Sequence, residues 1–145
     1  MKAQVLSRFV CYVVKINSME RIYHRYELWE DFKAGFYNNV SGELKKKQIQ
    51  QVVELFSNKE LTEKYMQMVI DLWHFSCEHN LTNEAMNRIA YLGQAACCMY
   101  AGISSTITME AWHLVSKENR DIADSIASKL INNYKPDPQR CLKLN

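Results

Sequence analysis

Two groups of residues have the types and spacing to do chemistry. Glu20, His24, Glu27 and Asp31 fall at i, i+4, i+7 and i+11, so on a helix three carboxylates and an imidazole form one stripe. Such a stripe suits a divalent cation, zinc or a harder ion. It lies opposite the apolar Ile22 and Trp29, however, and its plainer reading is a solvated helix face. The second group sits in "WHFSCEHNLTNEAMNRIAYLGQAACC", residues 73–98, where polar side chains crowd between two apolar segments. At about 100° per residue, Asn83, Asn87 and Gln94 share one narrow strip, with Tyr91 at its edge and small or apolar residues around it. An unpaired buried amide costs about 1–3 kcal/mol. These amides therefore bond to another helix, as a structural lock, or to a ligand. His79 falls on the apolar arc of the preceding helix near its C-terminal end, where an imidazole interacts well with free carbonyls; Glu78 falls on the polar side. Cys77 and His79, at i and i+2, face apart, which argues against a nucleophile and base.

Other motifs say mostly what the chain does not do. Glu110 and His113 form one E-x-x-H, and Asp71 and His74 an imperfect second. A di-iron bundle needs two such pairs and two further glutamates on facing helices. P-loop, dinucleotide-binding and nucleophile-elbow patterns are absent, so nucleotide-dependent catalysis is not expected. The five cysteines, Cys11, Cys77, Cys97, Cys98 and Cys141, are odd in number and contain no C-x-x-C. That spacing fits neither a zinc ribbon nor a disulfide scaffold. Reduced thiols in a cytoplasmic protein are expected, Cys97 and Cys98 packing as small apolar groups.

The elements that must position these groups follow from composition and periodicity. The chain has 145 residues, 48% hydrophobic and 23% charged, the balance of one globular domain. Eighteen Lys and Arg stand against 16 Asp and Glu, too even a balance for extended nucleic-acid binding. Only four Gly and two Pro occur, both prolines in the tail "KPDPQR". A chain so free of breakers reads as all-α, a single-domain bundle of about five helices. Residues 1–17 are an appended segment, 18–134 the helical domain and 135–145 a flexible tail.

The first helix is expected from Ser18 to Asn38, with Met19, Ile22, Tyr26, Trp29 and Phe36 inward and Tyr23 and Phe32 beside them. The second runs from Glu43 to Phe56 through Leu44, Ile49, Val52 and Val53. Ser57 and Glu60 have capping-box spacing, opening a third helix to about His79 with a broad apolar arc. Thr82 or Asn83 caps a fourth, to about Gly102; it has no charged side chain from Ile89 to Ala101 and is the expected central buried helix, at about 83–102. A short helical piece around "MEAWHL" follows. Ser116 then caps a last helix to Tyr134, with Ile122, Ala123, Ile126, Ala127 and Leu130 inward. No segment reaches the roughly 18 apolar residues of a membrane span.

The blocks "RIYHRYELWEDFKAGFY" (21–37) and "SCEHNLTNEAMNRIAYLGQAA" (76–96) resemble a family of short uncharacterised α-helical proteins that recurs in bacteriophages, prophages and mobile elements of bacteria. The resemblance spans Met19 to Trp112; the first eighteen residues depart from it. It carries no activity, but it implies that the two blocks act together and that His24, Glu27, Glu78, His79, Asn83, Asn87, Arg88 and Gln94 form one ligand-binding site. Two functions follow as expectations. The first is a phage-type accessory protein in the bacterial cytoplasm, binding a host macromolecule or a small ligand and counteracting a defence system, with no cofactor. The alternative is a small metal-dependent hydrolase holding a divalent ion with His24, Glu27, Glu78 and His79. An architectural virion component would be a third class, marked by self-assembly into a homo-oligomer.

Overall fold

The computed structural model describes residues 18–79, 81 and 91–133, the first six as backbone only. Six α-helices and no strand make up this part: α1 (Ser18–Phe36), α2 (Gly42–Phe56), α3 (Lys59–Glu78), α4 (Leu92–Ala101), α5 (Ser105–Trp112) and α6 (Lys117–Asn133). Expectations for the appended segment, the tail, Tyr134, Cys11, Cys141 and the caps Thr82 and Asn83 fall outside the described residues, as do the side chains of Met19, Glu20, Ile22 and Tyr23. No described helix is long and apolar enough to cross a membrane.

The fourth described helix is central, as its lack of charge predicts, but it opens at Leu92, after Tyr91 as its N-cap, rather than at about residue 83. Leu92, Ala95, Ala96, Cys97, Cys98, Met99 and Ala101 are all buried, and α4 packs against each of the other five described helices. Small side chains permit this. A Cβ at Gly35 on α1 would stand only 3.0 Å from Cys98 Sγ, and the Cys98 thiol donates to the Phe32 carbonyl at 3.5 Å. Cys77, Cys97 and Cys98 are free thiols and buried. Burial pushes the Cys97 thiol above its ordinary range, with a weaker opposing effect from its hydrogen bond to the Thr108 side chain.

Turns occur where side chains close the helix ends, and not always where the spacing predicts. The α3 N-cap is Asn58, whose Oδ1 accepts from the Leu61 N–H at 3.0 Å. Ser57 is not the cap: it keeps a right-handed helical backbone as the C-cap of α2, and its hydroxyl donates to the Val53 carbonyl at 2.6 Å. An N-cap needs the extended backbone that Asn58 has. Gly102, at φ +67°, ends α4 in the left-handed region, where glycine carries no side-chain penalty. Ser104 then caps α5, accepting from the Ile107 N–H at 3.3 Å and donating to Asn39 Oδ1 at 2.6 Å. That cap opens α5 four residues ahead of the expected "MEAWHL". Ser116 caps α6 as expected, accepting from the Asn119 N–H at 3.2 Å.

The core faces also shift. Leu28, Trp29, Phe32 and Phe36 are the buried side chains among the described residues of α1, whereas Tyr26 is 38% exposed. On α2, Val52, Leu55 and Phe56 set the inward stripe, so Gln48, one turn earlier, is carried into the core, whereas Leu44, in the first turn of the helix, is exposed. Among the described residues, no hydrogen-bond partner meets Gln48 Oε1.

Candidate functional site

A cavity of about 380 Å³ opens among α2, α4, α5 and α6. Its walls come from helical spacing on two elements. Asp124, Ala127 and Ile131, at i, i+3 and i+7, present one face of α6 to it, and Thr108, Met109, Trp112 and His113 present the facing side of α5. Both α5 and α6 pack on α2 and α4, and the space remains between them. Phe56, at the end of α2, forms part of the wall and meets the Trp112 ring edge-on at 5.0 Å. The first residues of α4, Leu92, Gly93 and Gln94, with Tyr91 before them, complete it.

Thr108 is fixed in place, donating to the Ser104 carbonyl at 2.9 Å. Gly93 leaves room: a Cβ there would meet Phe56 Cζ only at 3.5 Å, an ordinary contact. Tyr91 and Met109 are 54% and 58% exposed, so both lie at the mouth. The lining is mainly aromatic and aliphatic, with the amide of Gln94, the imidazole of His113, the carboxylate of Asp124 and the hydroxyls of Tyr91 and Thr108 as its polar groups. That is the make-up of a small-molecule site: apolar walls bury the body of a ligand and a few polar groups orient it.

The residues expected in one site divide between two places. Gln94, half-buried, lines the cavity. Glu78 and His79 lie instead where the end of α3 meets α1. There the Tyr26 ring sits 5.4 Å from the His79 ring and 5.1 Å from Phe75. His79 is the C-cap of α3 and packs on Phe75 at 4.4 Å. Glu78 Oε1 reaches His74 Nε2 at 3.1 Å. Arg25 lies over the Phe75 ring at 5.4 Å; burial lowers its pKa, while the charges of Asp71 and Glu78 act the other way. Thus the first quoted block does touch the start of the second, through the Tyr26 ring on His79. His24, Glu27 and Asp31 are half-buried on α1, rather than the fully solvated stripe of the plainer reading. Asn83, Asn87 and Arg88 lie outside the described residues.

No group of three or more His, Cys, Asp or Glu is placed to hold a metal ion among the described residues. The E-x-x-H pair does not supply one: Glu110 bonds to Lys45 at 2.8 Å, while His113 lines the cavity. Sequence reasoning missed Phe56, Thr108, Met109, Asp124, Ala127 and Ile131 as site residues. The readable signal was the shared face of Asp124, Ala127 and Ile131, one step round from the inward stripe of α6. Compared with protein-family models, curated proteins and solved structures, the chain matches none.

Proposed function

We propose that this is an accessory binding protein that takes up one small organic molecule in the cavity between α5 and α6. It serves a mobile genetic element by withholding that molecule, a host-made signal of the kind that drives a bacterial defence response. The cavity carries the first part of this reading: its volume of about 380 Å³ is within the usual range for small-ligand pockets, about 300–1,000 Å³. The mobile-element setting rests on the resemblance of the two sequence blocks. The metal-hydrolase reading has weaker support, because Glu78 pairs with His74 and His79 packs between aromatic rings.

Native mass spectrometry of protein purified gently from bacterial cells tests the proposal. The expected spectrum shows one small organic mass per chain, lost in a folded Ala127→Phe variant whose ring occupies the cavity. A wild-type chain carrying nothing, or only an equimolar metal ion, would contradict it.

A further inference from the structure

The charge of the cavity names the chemical class of its occupant, and this step rests on the binding reading above. Among the described lining residues, Asp124 supplies the one carboxylate, and no lysine or arginine is present. Among these described residues the exposed imidazole of His113 is the one group able to take up a positive charge, and no permanent cation offsets Asp124, so an anionic ligand such as a nucleotide or a carboxylic acid would be repelled by that carboxylate. A neutral apolar ligand would leave Asp124 unused. A cation gains from both halves of the lining: the carboxylate attracts it, and the rings of Tyr91 and Trp112 attract it through their π-electrons. Gln94 and Thr108 add neutral oxygen atoms that can accept from an ammonium N–H.

We infer that the cavity binds a small organic cation, an amine or ammonium group on a flat or apolar body. The body rests among Phe56, Leu92, Trp112 and Ile131, and the charged end points toward Asp124. Asp124 is exposed on α6, so its attraction is screened by water. A preference of about tenfold over a neutral isostere is the expected scale for an ion pair near a surface combined with a ring contact.

The test is a calorimetric titration with three probes of one shape: tryptamine as its ammonium ion, tryptophol, and indole-3-propanoate. The wild-type protein is expected to bind the ammonium about tenfold more tightly than the alcohol, and the carboxylate least of all. In Asp124→Asn, whose side chain keeps its size, the ammonium and the alcohol are expected to bind alike. Equal binding of ammonium and alcohol by the wild type, or a preference unchanged in Asp124→Asn, would overturn the inference and leave the cavity a neutral-ligand site. Failure of all three probes to bind would overturn the small-ligand reading as well.

Discussion

Two glycines show how far a single side chain decides packing here. Gly35 is the last but one residue of α1 and Gly93 the second of α4, and at such end positions replacing glycine by alanine stabilises by less than the about 0.5–1 kcal/mol of a mid-helix site when nothing else changes. At position 93 nothing else does change, since the new methyl would meet Phe56 at 3.5 Å. Gly93→Ala is therefore expected to raise stability by up to about 0.5 kcal/mol. At position 35 the methyl would stand 3.0 Å from Cys98 Sγ, and overpacking costs about 1–3 kcal/mol. Gly35→Ala is expected to lower stability by about 1 kcal/mol, with favourable coupling to Cys98→Ala in a double-mutant cycle. Urea denaturation of the four variants measures all of this; shifts of the same sign at both glycines would refute the account of α1 seated on α4. From the sequence, the small residues of α4 did announce a close neighbour. Which neighbour it was could not be read, because Gly35 and Cys98 are 63 positions apart and only the tertiary fold joins them.

At the scale of elements, the helices were readable because their apolar residues recur at the helical period and breakers are scarce. Their ends were less so. Ser57 and Glu60 match a capping box, yet Asn58 caps α3; two capping residues side by side are resolved only by which one leaves the helical backbone. Asn58→Ala is accordingly expected to cost about 1 kcal/mol, and Ser57→Ala less than about 0.5 kcal/mol, as an exposed substitution. Thermal or urea unfolding of the pair decides between the caps, and a larger loss in Ser57→Ala would restore the capping box. The face of α2 was misjudged for a related reason. Leu44 looks like a core residue by type and lies on the same side as Leu55, but it falls in the first turn of α2, beyond the packed part of that face, and stays in water. Gln48 shares that stripe and is buried despite its amide.

For the whole molecule, the class and the central helix followed from composition, whereas the cavity did not. Ala127, Met109 and Thr108 have no chemical signature of their own, and four helices must converge before they line one space. Gln94 was legible because an amide stands out on an otherwise apolar helix. His79 stood out as an imidazole on the apolar arc of α3, but it packs against Tyr26 at the junction of α3 with α1, while Glu78 pairs with His74 on its own helix.

The three tryptophans allow a direct test of the central claim that the cavity is the binding site. Trp112 lines it, while Trp29 and Trp73 are buried in the core. An amide-correlation NMR titration with a library of small fragments, read at the three indole N–H signals, distinguishes them. Binding fragments are expected to shift Trp112 and to leave Trp29 and Trp73 in place. Fragments that bind while leaving the Trp112 signal unmoved would contradict it.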